Sequence, residues 1–168
     1  GKCFDDLLRA LALVVKRHPQ AHLDLFGDGA ERQNLERLAQ DLGLSESVSF
    51  RGRSQTVLQE YACHKIFVMT SRSEGMPNVL LEAMASGCAC VSTDCECGPS
   101  DLIDSGENGF LVPVHDVEAI ARRICALLED DGLCEQLGRR ARAIRETHDT
   151  VCIGDQFYRY LEQRLQER

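Results

Sequence analysis

The stretch Lys65–Thr93, KIFVMTSRSEGMPNVLLEAMASGCACVST, decides how this chain is built. Lys65–Thr70 (KIFVMT) and Cys88–Thr93 (CACVST) are short, apolar, β-rich runs of the kind that form buried strands. Between them, Val79–Ala85 (VLLEAMA) is apolar on nearly every side and reads as a helix. Pro77 stands at its first position, where a fixed φ is preorganised and no hydrogen bond is lost. Two carboxylates interrupt this pattern: Glu74 in the loop and Glu82 inside the helix. A carboxylate on so apolar a helix costs several kcal/mol, in order of magnitude, unless donors reach it. Polyhydroxyl ligands supply such donors. The free amides of the helix start, next to Gly75 and Met76, form an anion site suited to phosphate. The loop thus presents a carboxylate, a phosphate cradle and a second carboxylate in order, which is the equipment for a sugar nucleotide.

Composition bounds the rest. The 168 residues suffice for one domain with a substantial core. Lys and Arg number 19 against 27 Asp and Glu, a net charge of −8, which argues against a nucleic-acid footprint. No apolar run approaches the roughly 20 residues of a membrane span, and no signal-peptide pattern is present. The expected setting is cytoplasmic. Any peripheral contact with the inner face of a membrane would run through another part of a longer protein. Nine cysteines suggest a disulfide or zinc framework at first sight. Their odd number and their placement inside periodic elements favour reduced thiols. Cys88, Cys90, Cys95 and Cys97 form a CxC-x4-CxC pattern, whereas zinc sites usually use CxxC knuckles, so no metal is expected there.

Outward from the opening stretch, helices and strands alternate. Phe4, Leu7, Leu8, Leu11, Val14 and Val15 form a helical stripe that ends near His18-Pro19. A strand is predicted over 22–27, and Leu35, Leu38 and Leu42 mark a helix stopped by Gly43. A strand over 47–51 and a short helix over 55–63 precede the central stretch; a short helix after Gly98-Pro99 and a strand over 109–113 follow it. From about residue 116 onward the pattern is helical, with stripes at Val117–Leu128, Leu133–Ile144 and Ile153–Leu161. Five strands separated by helices describe an α/β fold with a doubly wound parallel sheet covered on both faces. Ligands of such sheets sit at the carboxyl ends of the strands, where Gly27–Gly29, Gly52, Glu74–Pro77 and Asp94–Gly98 all fall. A doubly wound unit begins with a strand, and this chain opens on a helix, so a first strand is expected before Gly1.

Taken together, these residues resemble the C-terminal, nucleotide-binding half of a family 4 (group 1) glycosyltransferase of the GT-B fold. The likeness rests on the E-x7-E pattern of Glu74 and Glu82 within SEGMPNVLLEAMASG. It is joined by FGDGAERQNLERLA (Phe26–Ala39), VSFRG (Val48–Gly52), STDCECGPSDLI (Ser92–Ile103) and GENGFLVP (Gly106–Pro113). The resemblance implies a Rossmann-like donor-binding domain over 1–168, closed by the helices from about 116 onward. Its N-terminal acceptor domain would lie outside this chain and act as its partner. It also implies metal-independent transfer of sugar from a nucleotide donor, with retention of configuration, to a polysaccharide or glycolipid. A UDP-sugar is the expected donor, and no cofactor is required.

Carried over residue by residue, Glu74 is the candidate catalytic carboxylate at the donor sugar, and Glu82 accepts from the ribose. Gly75, Met76, Pro77, Asn78 and Val79 bring backbone toward sugar and diphosphate. Lys2 matches the diphosphate lysine, Arg51–Arg53 the strand end near the nucleobase, and Gly27 the glycine at the base of the pocket. Three departures stand out. Cys3 follows Lys2 where the family usually has Gly, the family's partner arginine would lie before Gly1, and Asp101 takes a position that is commonly Glu. The alternatives are another GT-B relative (glycogen-synthase-like, or a nucleotide-sugar epimerase) and a non-catalytic Rossmann-like nucleotide-binding or regulatory module. The latter would want an acidic cluster at the first strand end or a GxGxxG, and neither is present.

Overall fold

The computed structural model describes residues 1–147. Helix α1 (Phe4–Arg17) is followed by β1 (Leu23–Phe26), α2 (Arg32–Asp41), β2 (Val48–Gly52), α3 (Val57–Cys63) and β3 (Ile66–Met69). Then come α4 (Asn78–Ser86), β4 (Ala89–Thr93), α5 (Pro99–Leu102), β5 (Phe110–Val112), α6 (Val117–Glu129), α7 (Asp131–Ala141) and α8 (Ile144–Thr147). Among the described residues each predicted element is present, with ends shifted by a few residues, and the stripe Leu133–Ile144 divides between α7 and α8. The predicted stripe at Ile153–Leu161 lies outside the described residues.

All strand pairs are parallel, as expected, yet they form two sheets instead of one: β1-β2 and β3-β4-β5. The facing edges of β1 and β3 are separated by a cleft of about 240 Å³ that all four residues of each strand help to line. Across the cleft the strands lie in the order β2-β1 and then β3-β4-β5.

Helix α1 holds the halves together. Its Leu7, Leu8 and Leu11 pack with Leu25, Ala39, Leu44 and Val48 over the β1-β2 side. Its Ala10 and Val14 join Val91, Phe110, Ile120, Ile124 and Leu127 over the other. The stripe ends where sequence placed its stop: the His18 amide donates to Val14 at 2.8 Å, and Pro19 cannot continue the helix. Below the sheet, Leu80, Ala83 and Met84 of α4 bury against Met69, Cys88 and Cys90. Among the described residues no cysteine is paired; Cys88, Cys90 and Cys95 are buried and Cys97 is exposed. Burial pushes the Cys88 thiol up to about 11, so it behaves as a small hydrophobe that donates weakly to the Tyr61 carbonyl.

Candidate functional site

The carboxyl ends of β3 and β4 position the loop that carries Glu74. Thr93 Oγ1, at the end of β4, donates to the Ser71 carbonyl at 2.6 Å. Ser73 and Glu96 form a parallel bridge that continues the strand direction past the sheet. Gly98 closes the arrangement. Its φ is +96°, and a Cβ there would stand 2.6 Å from Pro77 Cδ and 3.0 Å from the Gly75 carbonyl, so only glycine lets the two loops meet.

Lys2 reaches this loop from 72 residues away, its Nζ donating to Glu74 Oε1 at 2.6 Å. Backbone ties hold the lysine's segment in place: Thr70 Oγ1 donates to the Lys2 carbonyl at 2.8 Å, and the Arg72 amide to the Gly1 carbonyl at 3.0 Å. Ser71 Oγ donates to the same Glu74 oxygen. Burial works to raise the Glu74 carboxyl, but the ammonium and the hydroxyl outweigh it, and the group is held below its ordinary value. Glu74 is 13% exposed and Lys2 is half exposed, so the pair opens to solvent mainly on the lysine side.

Helix α4 begins one residue later than expected. Pro77 is the N-cap, not the first helical residue, and its carbonyl accepts from both Leu80 and Leu81. The Asn78 amide turns back onto Met76 at 2.9 Å. Among the described residues, the amides that keep no acceptor in this turn are those of Gly75, Met76 and Val79. Met76 and Val79 also expose their side chains. Three amides of the expected cradle are thus unspent in this turn, whereas the Asn78 N–H, expected to face the ligand with them, is already taken by the Met76 carbonyl.

Glu82 finds its donor within the chain. Tyr61 Oη of α3 donates to its Oε2 at 3.4 Å. Burial and this carboxylate both push the Tyr61 hydroxyl upward, so it stays protonated and remains a donor. Tyr61, Val79 and Lys2 all line the cleft between β1 and β3. Tyr61 was not singled out in the sequence, where a lone tyrosine 21 residues before Glu82 gives no spacing signal.

The remaining residues divide. The Gly27 amide donates to the Gly52 carbonyl at 2.7 Å, which brings the ends of β1 and β2 together. Arg53 is exposed just beyond that junction. Arg51 points elsewhere, its guanidinium held by Asp24 at 2.8 Å. Asp24 also pairs with His64 Nε2 at 3.0 Å. Burial would raise Asp24, but Arg51 and His64 prevail and hold it below its ordinary value. Arg51 thus stabilises the strand end, and of the two arginines only Arg53 is free to meet a ligand.

Comparison with known proteins bears on the same region. The family described as "Glycosyl transferases group 1" matches residues 2–144. The lipopolysaccharide core biosynthesis glycosyltransferase LpsE of Rhizobium meliloti is 41% identical over 139 residues, covering 83% of this chain and 39% of that protein. An exopolysaccharide phosphotransferase of Streptomyces coelicolor is 39% identical over 141 residues, covering 83% of this chain and 15% of that protein. The chain thus spans less than half the length of these relatives. Among solved structures, S. aureus TarM in complex with Fondaparinux, alpha-GlcNAc-glycerol and UDP superposes with a TM-score of 0.90 at 29% identity. That match covers 94% of this chain and 32% of TarM. Anabaena HepE in complex with UDP and glucose gives 0.88 at 28% identity, covering 96% of this chain and 45% of HepE.

Proposed function

The chain belongs to the group 1 glycosyl transferases, and from that premise we propose that it is the donor-binding, C-terminal domain of a retaining hexosyltransferase of the GT-B fold. It takes a sugar from a UDP-sugar, and the whole protein passes that sugar to a polysaccharide or glycolipid acceptor at the cytoplasmic face of a membrane. Acceptor recognition belongs to an N-terminal domain. Without that domain the acceptor side of the site is absent, and the isolated chain turns over no sugar.

The Lys2–Glu74 pair carries this reading: a cation and a carboxylate joined at 2.6 Å beside unspent amides at the carboxyl edge of a parallel sheet. In the filled site Glu74 takes hydroxyls of the donor sugar, and Glu82 takes those of the ribose. Lys2 and the amides of Gly75, Met76 and Val79 receive the diphosphate. As the bond from the anomeric carbon to the phosphate oxygen breaks, negative charge gathers on that diphosphate. Fixed N–H groups and an ammonium stabilise it without reorganising. The same groups supply the positive charge that a divalent ion would otherwise bring, so donor binding needs no metal. The UDP complexes of TarM and HepE support the choice of nucleotide.

UDP at one hundred times its Kd should stabilise the chain by about 2.7 kcal/mol, a rise in Tm of roughly 5–10 °C. GDP, ADP and inorganic phosphate at the same concentration should do less. The UDP shift should be equal in EDTA and in magnesium. If phosphate alone matches UDP, no nucleoside is being recognised; a shift that needs magnesium would overturn the metal-free diphosphate site.

A further inference from the structure

Away from the Lys2–Glu74 pair, three side chains of different donor chemistry converge at the start of α1. Cys3, Asp6 and His115 each offer a ligand atom within 4.8 Å of the other two, the one such group of three or more among the described residues. They come from distant parts of the chain: Cys3 is the N-cap of α1, Asp6 lies in its first turn, and His115 lies between β5 and α6. His115 Nδ1 stands 2.7 Å from Asp6 Oδ2. Asp6 is buried, at 8% exposure, while His115 is open to solvent, which leaves an entry path.

The backbone adds a second observation. Only three non-glycine residues among those described adopt a positive φ, and two of them are Cys3 (47°) and His115 (65°). This left-handed conformation is strained for side chains with a Cβ, and residues held in it cluster at ligand clamps and other functional sites. At both positions it turns a ligating side chain toward the same buried carboxylate.

We propose that Cys3, Asp6 and His115 are the three protein ligands of a zinc-class divalent ion that clips the start of α1 to the turn between β5 and α6. Thiolate, imidazole and carboxylate form a mixed set suited to zinc or cobalt and unsuited to magnesium or calcium, which take oxygen ligands alone. On binding, Cys3 gives its proton to solvent and Sγ donates an electron pair to the ion. The imidazole keeps its proton on Nε2, which frees Nδ1 to ligate, and water completes the shell. The ion lies outside the sugar-transfer chemistry. Its effect is to hold the start of α1 against the turn between β5 and α6.

Cobalt(II) titrated into the reduced chain reads this directly, because a thiolate ligand gives a charge-transfer band in the near ultraviolet. One equivalent should bind with that band, zinc should displace it, and a large excess of magnesium should not. Cys3→Gly relieves the backbone strain and should fold at least as stably as the parent, whereas His115→Gly also strands the buried Asp6 carboxylate and should lower Tm; each should weaken cobalt binding roughly a hundredfold or more. Cys97→Gly makes the same backbone change at the third positive-φ residue and should bind cobalt as the parent does. No thiolate band, or a band that survives Cys3→Gly, would overturn the site. So would equal weakening by Cys97→Gly, which would move the ion to the cysteines near the β4 end.

Discussion

Replacing Gly138 by alanine should destabilise the chain by about 2–3 kcal/mol and lower its Tm by roughly 5–10 °C. In an exposed helix the same change stabilises by about 1 kcal/mol, because alanine is the better helix former. Here the sign reverses. Gly138 lies inside α7, buried, and a Cβ on it would stand 2.3 Å from the Gly87 carbonyl oxygen and 3.3 Å from the Gly87 carbonyl carbon. Those are backbone atoms, so no side chain can swing aside to relieve the contact. Gly87 cannot yield easily either. It closes α4 with a φ of +89°, and its own Cβ position is filled by the Arg142 guanidinium at 2.6 Å. The contact matters because the turn at Gly87 connects α4, which carries Glu82, to β4, which anchors the Glu74 loop. Thermal unfolding checks the expectation. A Tm equal to or above the parent's would mean that α7 can lift away from this turn at no cost.

Much of the fold was legible because it depends on local pattern. The run KIFVMT, the apolar helix after Pro77 and the run CACVST became β3, α4 and β4 in that order. Of the stripe Phe4, Leu7, Leu8, Leu11, Val14 and Val15, the middle four are buried, Phe4 and Val15 are only partly so, and the buried Asp6 and Ala10 lay outside it. What stayed hidden is long-range. Nothing in the sequence tells Lys2 that it will bond Glu74 rather than wait for a phosphate, since the pair is 72 residues apart. The same holds for Asp24, which draws Arg51 and His64 to itself from 27 and 40 residues away. The sequence showed two arginines at the strand end, and the fold kept one of them for its own use. The left-handed conformation of His115 was equally silent, because a histidine carries no turn signal of the kind glycine does; that of Cys3 was signalled only by its standing where the resembled family usually has Gly. Periodicity reports which face is buried, whereas pairings across the fold follow from where the buried faces bring the chain.

Substituting the two carboxylates separately should divide the donor into its parts. Glu82 is assigned to the ribose, present in any nucleoside diphosphate, and Glu74 to the sugar, present only in the complete donor. A hydrogen bond to a charged group contributes about 1.5–3 kcal/mol, so its loss weakens binding roughly ten- to a hundredfold. Glu82→Ala should therefore weaken UDP and the UDP-sugar alike. Glu74→Ala should leave UDP nearly unchanged and remove only the added affinity of the sugar. The internal partners of each carboxylate sharpen the comparison. Tyr61 already donates to Glu82, so Glu82→Ala also strands a half-buried hydroxyl. Tyr61→Phe removes that hydroxyl while keeping the carboxylate, and should bind UDP almost as the parent does. On the other side, Glu74→Ala frees the Lys2 ammonium from its 2.6 Å bond, so any change for UDP should be toward tighter binding of the diphosphate. Titration calorimetry with UDP and the UDP-sugar on the four proteins decides the matter. If Glu74→Ala loses UDP as severely as Glu82→Ala does, the division is wrong. Glu74 then serves chiefly to fix Lys2 and the loop between β3 and α4 in place.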